Sequence, residues 1–166
     1  MNIILKKVLP LLLAPAILLS FTTKPAPINF SGQWKLNESK SELGEFRFAP
    51  SSIKVDQKAD AITVSRESNF NGQANTRTET LTFDGKVTES TGGFGNSKRK
   101  STAKWSDDGK TMTVSYTVNF DINGEASELK GTETWTLSDD GKTFTLQTKG
   151  AGPQGDFTTK AVYDKQ

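Results

Sequence analysis

The sequence predicts an all-β domain, an up-and-down antiparallel β-barrel of about 8–10 strands, and three observations carry that reading. From Ser31 onward, Thr, Val, Phe and Trp recur in short alternating runs with almost no helical spacing. Asn71-Gly72, Asp84-Gly85, Asp108-Gly109, Asn123-Gly124 and Asp140-Gly141 each set a residue that tolerates positive φ before a glycine, the chemistry of a tight hairpin. The links are short, so consecutive runs pair as antiparallel neighbours. A sheet of that many strands curls, and closing it removes both aggregation-prone edges. A two-sheet sandwich is the alternative, but its Greek-key crossings want long connections that this chain mostly lacks.

The chain opens on an address. Met1 to about Phe21 reads as a secretory signal, with Lys6 and Lys7 as a basic start and Val8 to Leu19 as the apolar stretch. A spanning helix needs about 20 apolar residues and this run has roughly 12–14, which argues against an uncleaved anchor and for a product with no stable membrane insertion. The expected organisation is a signal peptide over 1–22, an extended leader over 23–30 that contains Lys24-Pro25-Ala26-Pro27, and the barrel over 31–166. The expected destination is periplasmic or secreted. Loss of Lys6 and Lys7 from the 21 Lys+Arg leaves 19 against 19 Asp+Glu, so the mature chain is neutral.

Within the domain the expected strands are 32–37, 52–57, 61–69, 76–83, 86–90, 98–106, 111–120, 128–138, 142–149 and 156–164. Two hairpins repeat one another: Trp105 is followed by Ser106-Asp107-Asp108-Gly109-Lys110-Thr111, and Trp135 by Ser138-Asp139-Asp140-Gly141-Lys142-Thr143. Their Asp pairs resemble calcium loops only superficially, because a calcium loop spreads its oxygen ligands over about 12 residues. Gly92-Gly93-Phe94-Gly95-Asn96 lacks the Lys and the following helix of a phosphate loop and reads as a wide connection at one end of the sheet.

Composition excludes much. With no His and no Cys the chain builds no Ser-His-Asp or Cys-His nucleophile, no Cys/His zinc site, no haem ligated by His or Cys and no disulfide. A formal charge of +2 and a 9% aromatic content give no nucleic-acid footprint. No cofactor, no metal and no catalytic residue is therefore expected, and the oligomeric state is left open.

Asn29-Phe30-Ser31-Gly32-Gln33-Trp34-Lys35-Leu36 resembles the Gly-x-Trp start shared by lipocalins, fatty-acid-binding proteins and avidins, the calycin group of barrels. In layout the likeness spans most of the mature chain, from that first strand through the hairpin meander to a Tyr-bearing last strand, Thr159 to Lys165. The resemblance implies a closed barrel, a small lipophilic or amphipathic ligand, and Trp34 as the plug of one barrel end. Three departures stand beside it. Where fatty-acid-binding proteins carry an Arg-x-Tyr clamp this chain has Ala161-Val162-Tyr163, the link from Glu38 to Ser51 is too short for their two-helix lid, and the lipocalin disulfide is missing.

Strand alternation sorts the remaining residues by face. Met112, Val114, Tyr116, Val118 and Phe120 fall on the inner face, and the same parity sends Trp34, Trp105, Trp135, Phe144 and Tyr163 inward. It also sends charges inward: Arg66, Arg77, Glu79, Arg99 and Glu133, while Lys35, Lys54, Lys98, Lys100, Lys104, Lys130, Lys149 and Lys160 fall outside. Arg is the cation suited to burial, since its planar fork holds carboxylates and keeps its charge. On one reading these five form a paired network that fills the barrel. On the other, three Arg against two Glu leave one positive charge for an anionic head group, with Tyr116 and Tyr163 as further donors and Trp105 and Trp135 lining the cavity. The expected function is thus an exported lipocalin-like barrel that binds a small lipophilic or amphipathic molecule, with an anionic head group where the surplus Arg takes part; the alternative is an envelope-associated or interaction barrel with a filled interior and no small-molecule ligand. An enzyme using Glu79 and Glu133 as acid and base ranks third, because neighbouring Arg residues keep both ionised.

Overall fold

The computed structural model describes residues 25–44, 49–70, 73–92, 97–122 and 124–166. The expected signal peptide, the Asn71-Gly72 turn, Asn123 and most of the Gly92 to Asn96 connection lie outside them. Ten strands follow one another: β1 (Gly32–Leu36), β2 (Ser52–Gln57), β3 (Ala61–Phe70), β4 (Gln73–Thr82), β5 (Thr88–Thr91), β6 (Lys98–Trp105), β7 (Met112–Ile122), β8 (Glu125–Leu137), β9 (Thr143–Gly152) and β10 (Gly155–Lys165). One 3-10 turn, Glu38–Lys40, lies in the β1–β2 link. No helix among the described residues is long and apolar enough to cross a membrane.

Each expected strand is present, and the largest differences are extensions. β4 begins at Gln73 rather than 76, β8 at Glu125 rather than 128, and β9 runs on to Gly152 rather than 149. Residues that are poor strand formers are carried by cross-strand pairing up to the turn, as in Asn69 opposite Ala74 and Gly152 opposite Gly155.

All strands form one antiparallel sheet in the order β4-β3-β2-β1-β10-β9-β8-β7-β6-β5. The first and last strands pair, Trp34 opposite Lys165 and Leu36 opposite Tyr163, which wraps the meander into a nearly closed barrel. Full closure was expected. Instead β4 and β5 meet at a seam with no backbone ladder among the described residues, and the side chain of Arg77 bridges it to the carbonyl of Gly92. The two repeated hairpins are turns at the opposite end of the barrel. Asp108 accepts from Ser106 Oγ and Lys110 N, Asp140 accepts from Ser138 Oγ and Lys142 N, and Gly109 and Gly141 sit at φ of 68° and 66°.

Sheet curvature passes over a row without side chains. Gly131 of β8 lies opposite Gly150 of β9, and Tyr116 and Phe157 from the flanking strands lie across them. A Cβ on Gly131 would stand 2.5 Å from Tyr116 Oη; one on Gly150 would stand 2.5 Å from Phe157 Cζ and 2.8 Å from the Lys130 carbonyl oxygen. These glycines are required for space rather than for backbone angle. Gly150→Ala is expected to lower unfolding free energy in urea by about 1–3 kcal/mol, as overpacking does. Gly152→Ala meets Leu129 at an ordinary 3.4 Å and serves as the control, with a change expected within about 0.5 kcal/mol.

Candidate functional site

The alternation that sorts faces also stacks the barrel interior into three levels. At the end formed by the β6–β7 and β8–β9 turns lies a packed aromatic cluster. Phe30 is fully buried, stacked on Trp105 at 5.7 Å, edge-on to Trp135 at 5.7 Å and tilted on Phe144 at 5.3 Å. Phe144 in turn meets Trp34 and Tyr163, and Trp34 Nε1 donates to the Phe30 carbonyl at 2.9 Å. Gln57 of β2 pins the incoming chain by accepting from Phe30 N and donating to the Ile28 carbonyl. Trp34 is therefore buried at that end, and Phe30, a residue of the expected leader, accepts its indole N–H. The signal for it was present, since Phe30 stands in the Gly-x-Trp opening and is the first bulky apolar residue there.

At the waist sits a closed ring of charges. Arg66 of β3 bonds Glu79 of β4 and, through Nη2 at 2.8 Å, Glu133 of β8. Arg99 of β6 donates from Nη2 to Glu133 at 2.8 Å, and its Nε lies 3.3 Å from Glu79. Ser101 accepts from Arg99 Nε at 3.0 Å and donates to Glu79 at 3.1 Å, while Trp135 Nε1 donates to Glu133 at 3.0 Å. The Arg66 guanidinium also lies over the Trp135 ring and that of Arg99 over Tyr116, 3.8 Å from its centroid. All four charged residues are buried. Ser101 escaped the sequence reading, although it shares the inward parity of Arg99 and Ala103.

The electrostatics follow from that closure. Burial alone would raise the Glu133 pKa, but Arg66 and Arg99 outweigh it and hold the carboxyl down to about 2. Arg66 is likewise disfavoured by burial yet held charged, above its ordinary value, by Glu133 and Glu79. Burial pushes the Tyr116 phenol up to about 12 and raises that of Tyr163 as well, whose hydroxyl donates to the Pro50 carbonyl at 3.1 Å.

Beyond the ring, towards the β3–β4 and β7–β8 turns, the inner-face residues pass from buried to half-buried, which marks this as the open half. Val118 and Phe120 of β7, Leu129 of β8 and Phe157 of β10 share the inner face there and are half-buried, forming an apolar wall. Ser68 of β3 with Asn75 and Arg77 of β4, also half-buried, form a polar wall facing the same end. Of the nine residues expected to bind ligand, the structure joins Arg66, Glu79, Arg99, Glu133 and Tyr116 at the waist. It sets Arg77 apart at the seam and buries Trp105, Trp135 and Tyr163 in the packed end. The expected surplus cation is thus neither Arg66 nor Arg99 but Arg77.

A depression of about 850 Å³ crosses β6 to β10 over the glycine row; it includes exposed Lys100, Lys130 and Lys149 with Asp156, and shares Tyr116 and Phe157 with the inner face. Lys100 pairs with Glu89 at 3.2 Å and Lys130 with Glu128 at 2.7 Å, so it presents both signs of charge and no directed site.

No protein-family model and no curated protein matches the sequence. Among solved structures, the chain is similar to the zebrafish ileal bile acid-binding protein complexed with cholic acid, with a TM-score of 0.54 and 17% identity, over 82% of this chain and 98% of that one. At such identity the likeness is one of fold, and together with the strand order it establishes that this chain has a calycin-like up-and-down β-barrel.

Proposed function

We propose that this chain is an exported binding protein that holds a small lipophilic or amphipathic molecule in the open half of its barrel. The observation that carries this reading is the division of the interior by the waist ring. Arg66, Glu79, Arg99 and Glu133 neutralise one another and close off the packed end, so the space left for a ligand has one apolar wall and one polar wall. An apolar tail packs on Val118, Phe120, Leu129 and Phe157, and a polar or anionic head turns to Asn75 and Arg77. A structural neighbour crystallised with cholic acid supports a small amphipathic ligand, and the basic-then-apolar leader supports export.

Binding rather than catalysis is favoured by the state of the buried acids and phenols. Glu133 is locked ionised by two guanidinium groups, and burial drives Tyr116 away from neutral pH, so neither is poised for proton transfer. The competing reading, a filled barrel that acts through its loops, draws on the completeness of the ring and the density of the aromatic end.

One measurement separates them. Native mass spectrometry of the protein purified from its own host should show a chain cut near residues 20–26, carrying a small-molecule adduct that collisional activation removes. A bare chain that also gives no heat with decanol or decanoate would establish the filled barrel. Full-length chain confined to the membrane pellet would overturn export.

A further inference from the structure

Arg77 stands apart from the other inward cations. It lies directly opposite Arg66 in the β3–β4 register, so two guanidinium groups start side by side on the inner face. Arg66 turns into the ring, where it and Arg99 take Glu79 and Glu133 between them. Arg77 turns to the seam, where Nε and Nη2 donate to the Gly92 carbonyl at 3.2 and 2.6 Å and Nη2 to Ser97 Oγ at 2.5 Å. Its partners there are dipoles, not charges. Burial and then the neighbouring Arg99 charge hold its pKa below the ordinary guanidinium value, as expected of a cation short of a counter-ion. It is also half-buried where Arg66 and Arg99 are closed in, so a ligand in the open half reaches it. On the same seam the hydroxyl of Ser90, two residues from Gly92 along the chain, is buried without a partner.

We infer that Arg77, at the seam between β4 and β5, is a subsite for a singly charged anionic head group such as a carboxylate, and that it discriminates against neutral and doubly charged heads. This rests on the proposed ligand in the open half. The charge count sets the valence. Among the described residues the inner face carries three Arg against two Glu in this region, so one negative charge brings the interior to neutrality. A neutral head leaves Arg77 with its dipoles alone. A doubly charged head makes the interior net negative beside buried Glu79, in surroundings where repulsion is poorly screened. Gly92 and Ser97 take the Nε hydrogen and both Nη2 hydrogens, so a carboxylate is received at the Nη1 end of the guanidinium, a fixed planar donor that Lys does not offer.

The test is calorimetric titration with decanoate, decanol and decyl phosphate at pH 8, using the mature wild-type protein, Arg77→Gln and Arg77→Lys. Wild type is expected to bind decanoate roughly tenfold to a hundredfold more tightly than decanol, the ratio for a hydrogen bond to a charged group, and more tightly than decyl phosphate. In Arg77→Gln the decanoate affinity should fall to that of decanol, and a urea unfolding transition matching that of wild type shows that the barrel is intact. Arg77→Lys should keep part of the preference. Equal wild-type affinities for acid and alcohol, tighter binding of the phosphate, or a loss in Arg77→Gln shared by acid and alcohol would each overturn the subsite while leaving the binding function standing. Failure of all three compounds to bind wild type would overturn the binding function and the subsite with it.

Discussion

Glu133→Gln is expected to destabilise the barrel by about 3–5 kcal/mol, the cost of breaking a buried ion pair from one side. The substitution keeps size and shape but removes the charge that Arg66 and Arg99 share from opposite sides at 2.8 Å each. It also replaces one acceptor oxygen of the group to which Trp135 Nε1 donates by an amide that needs acceptors itself. Two guanidinium groups then face one remaining carboxylate, Glu79, in a site closed to water. Urea unfolding monitored by Trp fluorescence measures the loss, and a change below about 1 kcal/mol would mean that the ring is solvated. The same variant tests the pH behaviour. A carboxyl with an ordinary value of 4.5 held down to about 2 in the fold contributes stability that is present above 4.5 and is lost as pH falls from there towards 2. Wild-type stability should therefore decline across that window, and the decline should be shallower in Glu133→Gln.

Why the ring could be half-read from sequence is a matter of period. A strand sends alternate residues to opposite faces, so Arg66, Arg99, Glu79 and Glu133 were placed inward and the strand lysines outward, and the structure has the four buried and those lysines exposed. Which Arg meets which Glu is a different kind of fact. Glu133 and Arg66 are 67 residues apart and meet across the barrel, so their pairing depends on tilt and curvature that no local pattern encodes. Arg77 carries the same parity as its neighbours and differs only because it lies where the sheet fails to close, which turns it to Gly92 and Ser97. Glycine was misleading for a related reason. Gly150 and Gly152 read as the end of β9, yet Gly150 pairs with Gly131 of β8 and Phe157 of β10, Gly152 pairs with Gly155 of β10, and the missing side chain of Gly150 makes room for Phe157.

Phe30→Ala is expected to cost about 3–5 kcal/mol, as much as Trp34→Ala, because both are large-to-small changes at closed sites. The Gly-x-Trp likeness draws attention to Trp34, but the packing does not rank it first. Phe30 has no exposed surface, touches Trp105, Trp135 and Phe144, and its carbonyl satisfies the Trp34 indole N–H. Removing its ring opens a void that three rigid aromatic neighbours on different strands cannot jointly fill, whereas a residue of a solvated leader would change stability by less than about 0.5 kcal/mol. Thermal and urea unfolding of the two single variants decide between these outcomes; a Phe30→Ala loss below about 1 kcal/mol would remove Phe30 from the core. The result also bears on export. Gln57 grips the chain at Ile28 and Phe30, so a cut near residues 20–26 leaves the Phe30 ring in place, while a cut beyond Phe30 would release it and open the barrel from its packed end.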